Sequence, residues 1–270
     1  MDALGILLLL LCGCLAGFLA GFFGVGGGIV IVPVLLYYYH SIGVSSLVAT
    51  HLTFGTSLLI VIITSLSSSY QYSRNRHVVW RAVLFIGLAS VVGALLGANI
   101  AAGLSGKVLQ RIFALVVTIA ATSLIVEIRG AKREPTLNLW STRLLSVGLI
   151  VGLISSLAGV GGGVVSVPMM YYLMKFPLKK ALGTSSATIV ITAFAASLGY
   201  VLHGLEDPNL RLYEGFTLGY VDILLSIPIV IGTIPMAKIG ASVAHKTHVD
   251  NLRKLYAVFL FVIATKMFFF

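Results

Sequence analysis

Two runs of glycine carry the chemistry this chain is equipped for. Gly24-Val25-Gly26-Gly27-Gly28, followed by four residues and Pro33, recurs as Gly159-Val160-Gly161-Gly162-Gly163, followed by four residues and Pro168. The offset is 135 residues, half of the 270-residue chain. A glycine inside a helix costs about 1 kcal/mol relative to alanine, so clusters at matching places in two halves read as breaks. Packing through small residues, the alternative, needs them spaced apart rather than adjacent. Consecutive glycines leave backbone N–H groups unshielded. The apolar arm after each cluster, Ile29-Val30-Ile31-Val32 or Val164-Val165-Ser166-Val167, starts a helix whose first N–H groups and positive dipole end point back at the glycines. Two such ends facing each other make a place for an anion. Pro33 and Pro168 fall early in these arms, where a missing N–H costs little if the helix begins late; a kink is the alternative.

A second matched element follows. Ala49-Thr50-His51-Leu52 corresponds to Leu182-Gly183-Thr184-Ser185-Ser186, with Thr50 opposite Thr184 and His51 opposite Ser185. Hydroxyls and an imidazole there can donate to an anion's oxygens. A hydroxyl bonded to its own helix backbone is the competing reading. His51 is the ionisable residue of its apolar span, and such residues are functional candidates by default. The candidate contact set is therefore Gly24, Gly26, Gly27, Gly28, Thr50, His51, Gly159, Gly161, Gly162, Gly163, Thr184 and Ser185. Three further polar residues are secondary. Asn99 and Lys238 occupy matching positions; Lys238 either pairs with an anion or, the favoured reading, snorkels to the interface. Asp222 suits a proton relay or a structural partner.

The elements that must hold these residues are membrane spans. Hydrophobic residues make up 59% of the chain and charged residues 10%, and apolar stretches near the ~20 residues that cross a bilayer recur throughout. Eight segments stand out: 4–39, 44–69, 78–104 and 108–128, then 139–174, 178–203, 216–244 and 252–270. The first of each half is about 36 residues, roughly 54 Å as one straight helix against a core of ~30 Å. A re-entrant hairpin turning at the glycines resolves this.

Loop charge supports the hairpin. With single crossings the loop cations divide eight to nine between the two sides. With re-entrant first segments, Arg74, Arg76, Arg81, Arg129, Lys132, Arg133, Arg143, Lys175, Lys179, Lys180, Lys246, Arg253 and Lys254 share one side, thirteen in all, against Lys107, Arg111, Arg211 and Lys266 on the other. That asymmetry is what the positive-inside rule requires. The expected fold is an all-α membrane protein of two repeats, 1–134 and 135–270, each a re-entrant helical hairpin broken at its glycines plus three transmembrane helices. Three crossings per half make the repeats inverted. Both termini then face the periplasm.

These features exclude much. The net charge of +10 follows from the positive-inside effect, so nucleic acid is not the expected partner. Cys12 and Cys14, at i and i+2 of one helix, point to different faces and do not suit a disulfide. No HExxH, GxxxxGK[ST] or paired intramembrane carboxylates support an enzyme, a metal or a cofactor. With no ATP-binding segment, active transport needs a coupling proton or other ion, or a partner.

The doubled GxGGG-x4-P element, each copy followed by a small-residue and threonine motif (VATHL, LGTSS), resembles the sulfite exporter TauE/SafE family of bacterial membrane proteins along the whole chain. The resemblance implies a duplicated permease of the cytoplasmic membrane. It implies sulfur-containing anions as substrate, such as sulfite, sulfoacetate or related sulfonates, and a site at Gly24–Gly28, Thr50, Gly159–Gly163, Thr184 and Ser185. The expected activity is secondary transport, with an anion channel of the same architecture as the alternative.

Overall fold

The structure is a computed structural model that describes residues 3–128, 141–213 and 215–248, together with Asn251, Lys254, Leu255, Val258 and Val262. Most of the expected span 252–270, and the loop cations Arg129, Lys132, Arg133 and Arg253, lie outside the described residues, as does Lys266.

Helices dominate. They are α1 (Ala3–Phe23), α2 (Gly28–Ser41), α3 (Ser46–Arg74), α4 (Trp80–Ala102), α5 (Gly106–Ile128), α6 (Ser141–Ala158), α7 (Gly163–Tyr172), α8 (Leu178–Glu206) and α9 (Ile223–Lys246). The chain breaks between α1 and α2, and between α6 and α7, at the glycine clusters. Among the described residues, five helices are long and apolar enough to cross a membrane: Leu4–Phe23, Val48–Arg74, Trp80–Ala102, Leu178–Glu206 and Ile223–Lys246. The chain is a multi-pass, all-α membrane protein. Leucines such as Leu7, Leu11, Leu15, Leu84 and Leu88 stand exposed on the outer helices, as a lipid-facing surface requires.

One expected segment is corrected. The run from Phe216 reads as the start of a span, but residues 217–222 form a small antiparallel hairpin, Thr217–Leu218 with Val221–Asp222. The helix starts only at Ile223, because the Asp222 carboxylate accepts the Leu225 N–H at 2.9 Å and caps it. Tyr220 N–H donates to the Tyr200 carbonyl, and the hairpin folds back over the adjoining ends of α3 and α8.

Burial sorts the helices. In α3, 83% of the apolar window is buried and in α8 67%, against 44% in each of α1, α4 and α9. The first pair is therefore the centre of the bundle. Around it, α1 lies on α9 and α6 on α4, both in parallel. Gly13 and Gly17 of α1 sit against Ile229 and Thr233, while Gly148 and Gly152 of α6 sit against Ile86 and Ser90. Backbones can approach this closely only where a side chain is absent, the small-xxx-small mode of membrane helices.

Two ends of the bundle follow from these contacts. At one, His77 Nε2 lies 2.7 Å from His245 Nδ1, and Lys179 Nζ donates to the His245 carbonyl. At the other, Tyr39, Thr56, Tyr213 and Asp222 meet. The α1–α2 pair starts and finishes at the Asp222 end: α1 runs beside α9 from its start, and Tyr39, late in α2, is within 3.5 Å of Asp222. The α6–α7 pair starts and finishes at the His77 end, where Met174 and Phe176 pack with Ala82 and Ile86.

Candidate functional site

The two glycine turns have nearly the same backbone. Gly24, Gly26 and Gly27 take φ of +64, +82 and +90°, and Gly159, Gly161 and Gly162 take +64, +78 and +85°. L-residues pay roughly 1–2 kcal/mol for this left-handed region, which glycine enters freely. Gly27 and Gly162 are the N-caps of α2 and α7, and no side chain caps either helix. The helices begin at once, at Gly28 and Gly163. Pro33 and Pro168 therefore fall inside them, not before a late start.

The turns touch. A β-carbon built on Gly28 would stand 2.7 Å from Val160 Cα, and one on Gly163 would stand 2.5 Å from Val25 Cα. Each turn thus seats the first glycine of the other's helix. Both also meet the same two side chains. β-Carbons on Gly26 and on Gly161 would strike Val61 Cγ1 of α3 and come within 3.2 Å and 3.1 Å of Ile189 Cγ2 of α8. Val61 is near the middle of the 29-residue α3, and Ile189 lies eleven residues into the 29-residue α8. The junction is therefore deep in the bundle.

The matched polar motif is placed differently from the glycines. Thr50 and Thr184 are fully buried, and each already accepts a hydrogen bond. Gln110 Nε2 of α5 donates to Thr50 Oγ1 at 2.9 Å, and the Val79 N–H at the start of α4 donates to Thr184 Oγ1 at 3.0 Å. His51 Nε2 is 3.1 Å from the Ala101 carbonyl, which fixes that nitrogen as the donor. Its ring stacks on Tyr220 at 5.1 Å. Ser185 Oγ pairs with Ser166 Oγ of α7 at 2.5 Å.

The secondary residues lie apart. Asn99 Oδ1 accepts from His203 Nε2 at 2.9 Å on an exposed surface. Lys238 is exposed, with its ammonium over the Tyr70 ring at 5.7 Å. Asn99 and Lys238 are not brought together. Asp222 is 2% exposed and accepts from the Tyr213 hydroxyl at 2.6 Å as well as from Leu225. Nearby, Asp207 accepts from Tyr220 and from Asn209. Burial alone would raise the Asp207 carboxyl, but these hydrogen bonds outweigh it and hold it below the usual carboxylate range.

Sequence reasoning did not single out a set of hydroxyls near the turns. Ser57, Ser65, Ser155 and Ser186 are fully buried and have no hydrogen-bond partner. The signal was present in α3: Thr53, Ser57, Val61 and Ser65 follow one another at i+4, on one ridge of a helix.

Comparison with known proteins finds relatives along nearly the whole chain. The profile of the family "Sulfite exporter TauE/SafE" matches residues 9–267. A "Probable membrane transporter protein" of Haemophilus influenzae is 32% identical over 265 residues, covering 97% of this chain and 98% of that one. A second, from Methanocaldococcus jannaschii, is 26% identical over 96% of this chain and 94% of its own. "Probable membrane transporter protein YunE" of Bacillus subtilis is 24% identical over 96% of each. No solved structure matches the chain significantly.

Proposed function

The chain belongs to the sulfite exporter TauE/SafE family of membrane transporters, and from that premise we propose that it is a secondary transporter of a small sulfur-containing anion. Sulfite, sulfoacetate or a related sulfonate is bound at the junction of the two glycine turns. The observation that carries the reading is the junction itself. Two uncapped helix starts meet there, each built on left-handed glycines, against the middle of the two most buried helices. Helix N-termini offer N–H groups and positive potential. Irregular backbone at membrane depth persists only where protein or a wet cavity satisfies it. The primary contacts are Gly24, Gly26, Gly27 and Gly28 with Gly159, Gly161, Gly162 and Gly163. Thr50, His51, Thr184 and Ser185 stand behind them and hold the neighbouring helices in place.

The same reading includes the topology. Residues 1–134 and 135–270 are inverted repeats, and α1–α2 and α6–α7 are re-entrant hairpins entering from opposite faces. Exchange of partners supports this: α1 pairs with α9 and α6 with α4, the first arm of each hairpin lying on the second helix after the other half's hairpin. The cationic His77 end faces the cytoplasm, and both chain ends lie in the periplasm. Inverted repeats around one central site suit alternating access.

Purified protein in proteoliposomes tests the function. Uptake of radiolabelled sulfite or sulfoacetate should saturate, and unlabelled substrate on the far side should drive counterflow of label. Anion conductance without saturation or counterflow makes the protein a channel instead. For the topology, a C-terminal alkaline phosphatase fusion should be active and a green fluorescent fusion dark; the reverse pattern removes the re-entrant hairpins.

A further inference from the structure

In a membrane helix a buried serine ordinarily donates to a carbonyl three or four residues back. This chain follows that habit at Thr64, Ser68, Ser90 and Thr188, each bonded within its own helix. Ser57, Ser65, Ser155 and Ser186 do not, although each is fully buried. An unpartnered buried hydroxyl costs about 1–3 kcal/mol of desolvation, so these four, with Thr53 of the same α3 ridge also unpartnered, need a physical cause.

Their places supply one. Ser65 Oγ lies 3.0 Å from the β-carbon position of Gly26, so it is aimed at the first turn. Ser186 lies on α8 between Leu182, whose backbone abuts Gly24, and Ile189, whose methyl abuts Gly26. The second turn repeats the arrangement with other residues. Ser57 lies on α3 between Phe54, whose ring abuts Gly159, and Val61, whose methyl abuts Gly161. Ser155 Cβ is 3.3 Å from the β-carbon position of Gly162. Each turn is thus flanked by two hydroxyls with nothing to bond, and they come from three helices, α3, α6 and α8.

We infer that Ser57, Ser65, Ser155 and Ser186 are the side-chain donors that hold the transported anion, two at each glycine turn. The inference rests on the reading that an anion occupies the turn junction, and it names that anion's shape. Donors on opposite sides of a junction are satisfied together by a central atom carrying three or more oxygens, as in sulfite or a sulfonate. A monatomic halide cannot span them. Neutral donors also hold the anion less tightly than a buried cation would, which suits release on the other side.

The test uses the full chain in detergent and in proteoliposomes, with sulfite, sulfoacetate, methanesulfonate and chloride as probes. Ser57→Ala, Ser65→Ala, Ser155→Ala and Ser186→Ala should each weaken oxyanion affinity by about 10- to 100-fold, as expected for one lost bond to a charged group. Their ligand-free melting temperatures should stay level or rise, because the deleted hydroxyl has no partner in the protein. Thr64→Val, which removes a hydroxyl bonded to its own helix at 2.8 Å, should leave affinity unchanged. Chloride should not compete. If the wild type binds an oxyanion and all four alanine variants bind it equally well, the inference fails while the transport reading stands. If the wild type neither binds nor transports any of the oxyanions, the transport reading fails and takes this inference with it.

Discussion

The two glycine turns agree in backbone and differ in their walls. Their φ angles match within 5° at each of three positions. Each also seats the other's helix start, Gly28 on Val160 and Gly163 on Val25. Both meet Val61 and Ile189, but the rest of the surroundings do not match. Gly24 abuts the backbone of Leu182, whereas Gly159 abuts the ring of Phe54. Gly27 rests near Ala16 and Ala20, but Gly162 rests on Val151 and Ser155. Packing partners can be exchanged provided the space is filled. Backbone conformation cannot be exchanged if N–H groups must converge on one point. What recurs is therefore the presentation of the helix starts, and what varies is their support.

The largest effect should come from breaking what recurs. Gly26→Leu and Gly161→Leu each force a side chain into the left-handed region and into Val61 and Ile189. We expect both to insert in the membrane and to lose transport entirely. Gly43→Ala separates the two costs. Its φ of +78° is as unfavourable, but its β-carbon meets open space, so it should cost only the roughly 1–2 kcal/mol of backbone strain and keep transport. Wild-type rates in both leucine variants would move the transport path away from the turns.

The next effect sharpens the difference between the halves. Thr50 and Thr184 correspond in sequence but hold unlike partners. Thr184→Val strands the backbone N–H of Val79, which cannot turn elsewhere, and should destabilise the protein by about 1–3 kcal/mol. Thr50→Val frees a Gln110 side chain that can rotate to another acceptor, and should cost less than about 1 kcal/mol. Thermal unfolding in detergent measures both. Equal losses would make the two motifs equivalent supports.

These contrasts show which features the sequence could reveal. The breaks were legible because glycine clusters oppose the helix on either side of them. The spans were legible because lipid demands long apolar runs. A repeat at the same offset of 135 also joins Gly13 and Gly17 to Gly148 and Gly152, and it marks the helix contacts that pair α1 with α9 and α6 with α4. The 217–222 hairpin was hidden because Leu218, Tyr220 and Val221 are as apolar as a span; Asp222, a good N-cap, was the readable signal for the true helix start. The partners of hydroxyls were not legible. Thr50 and Thr184 are bonded to residues 60 and 105 positions away, and no local pattern separates them from Ser57 or Ser186. The sequence therefore pointed to the threonines of a matched motif, while the unpartnered Ser57 and Ser186 stand within two turns of them on the same helices.

The smallest effect compares the two ends of the bundle. At the Asp222 end, Asp207 is partly exposed, and because its carboxyl is held below the usual carboxylate range its charge changes little above about pH 5. At the opposite end, His77 is half-buried and faces His245 of α9 with Lys179 and Lys180 of α8 nearby. Burial, then the His245 ring, then the two lysines push its imidazole below the ordinary value of 6.5. The histidines share one hydrogen bond, in which one ring donates and the other accepts, so charging both rings breaks it. Because the folded state binds the proton more weakly than the unfolded chain, this stability is complete above about pH 6.5. It is lost as pH falls through that value toward the lower folded one. The melting temperature should therefore drop between pH 7.5 and 5.5. His77→Gln, which cannot titrate, should flatten the drop in that window while leaving the slope below pH 5 intact. The shift should be smaller than that of Thr184→Val, since surrounding water screens a half-exposed pair. An unchanged pH profile in His77→Gln would mean that the His77–His245 contact does not join the α3–α4 loop to α9 in solution.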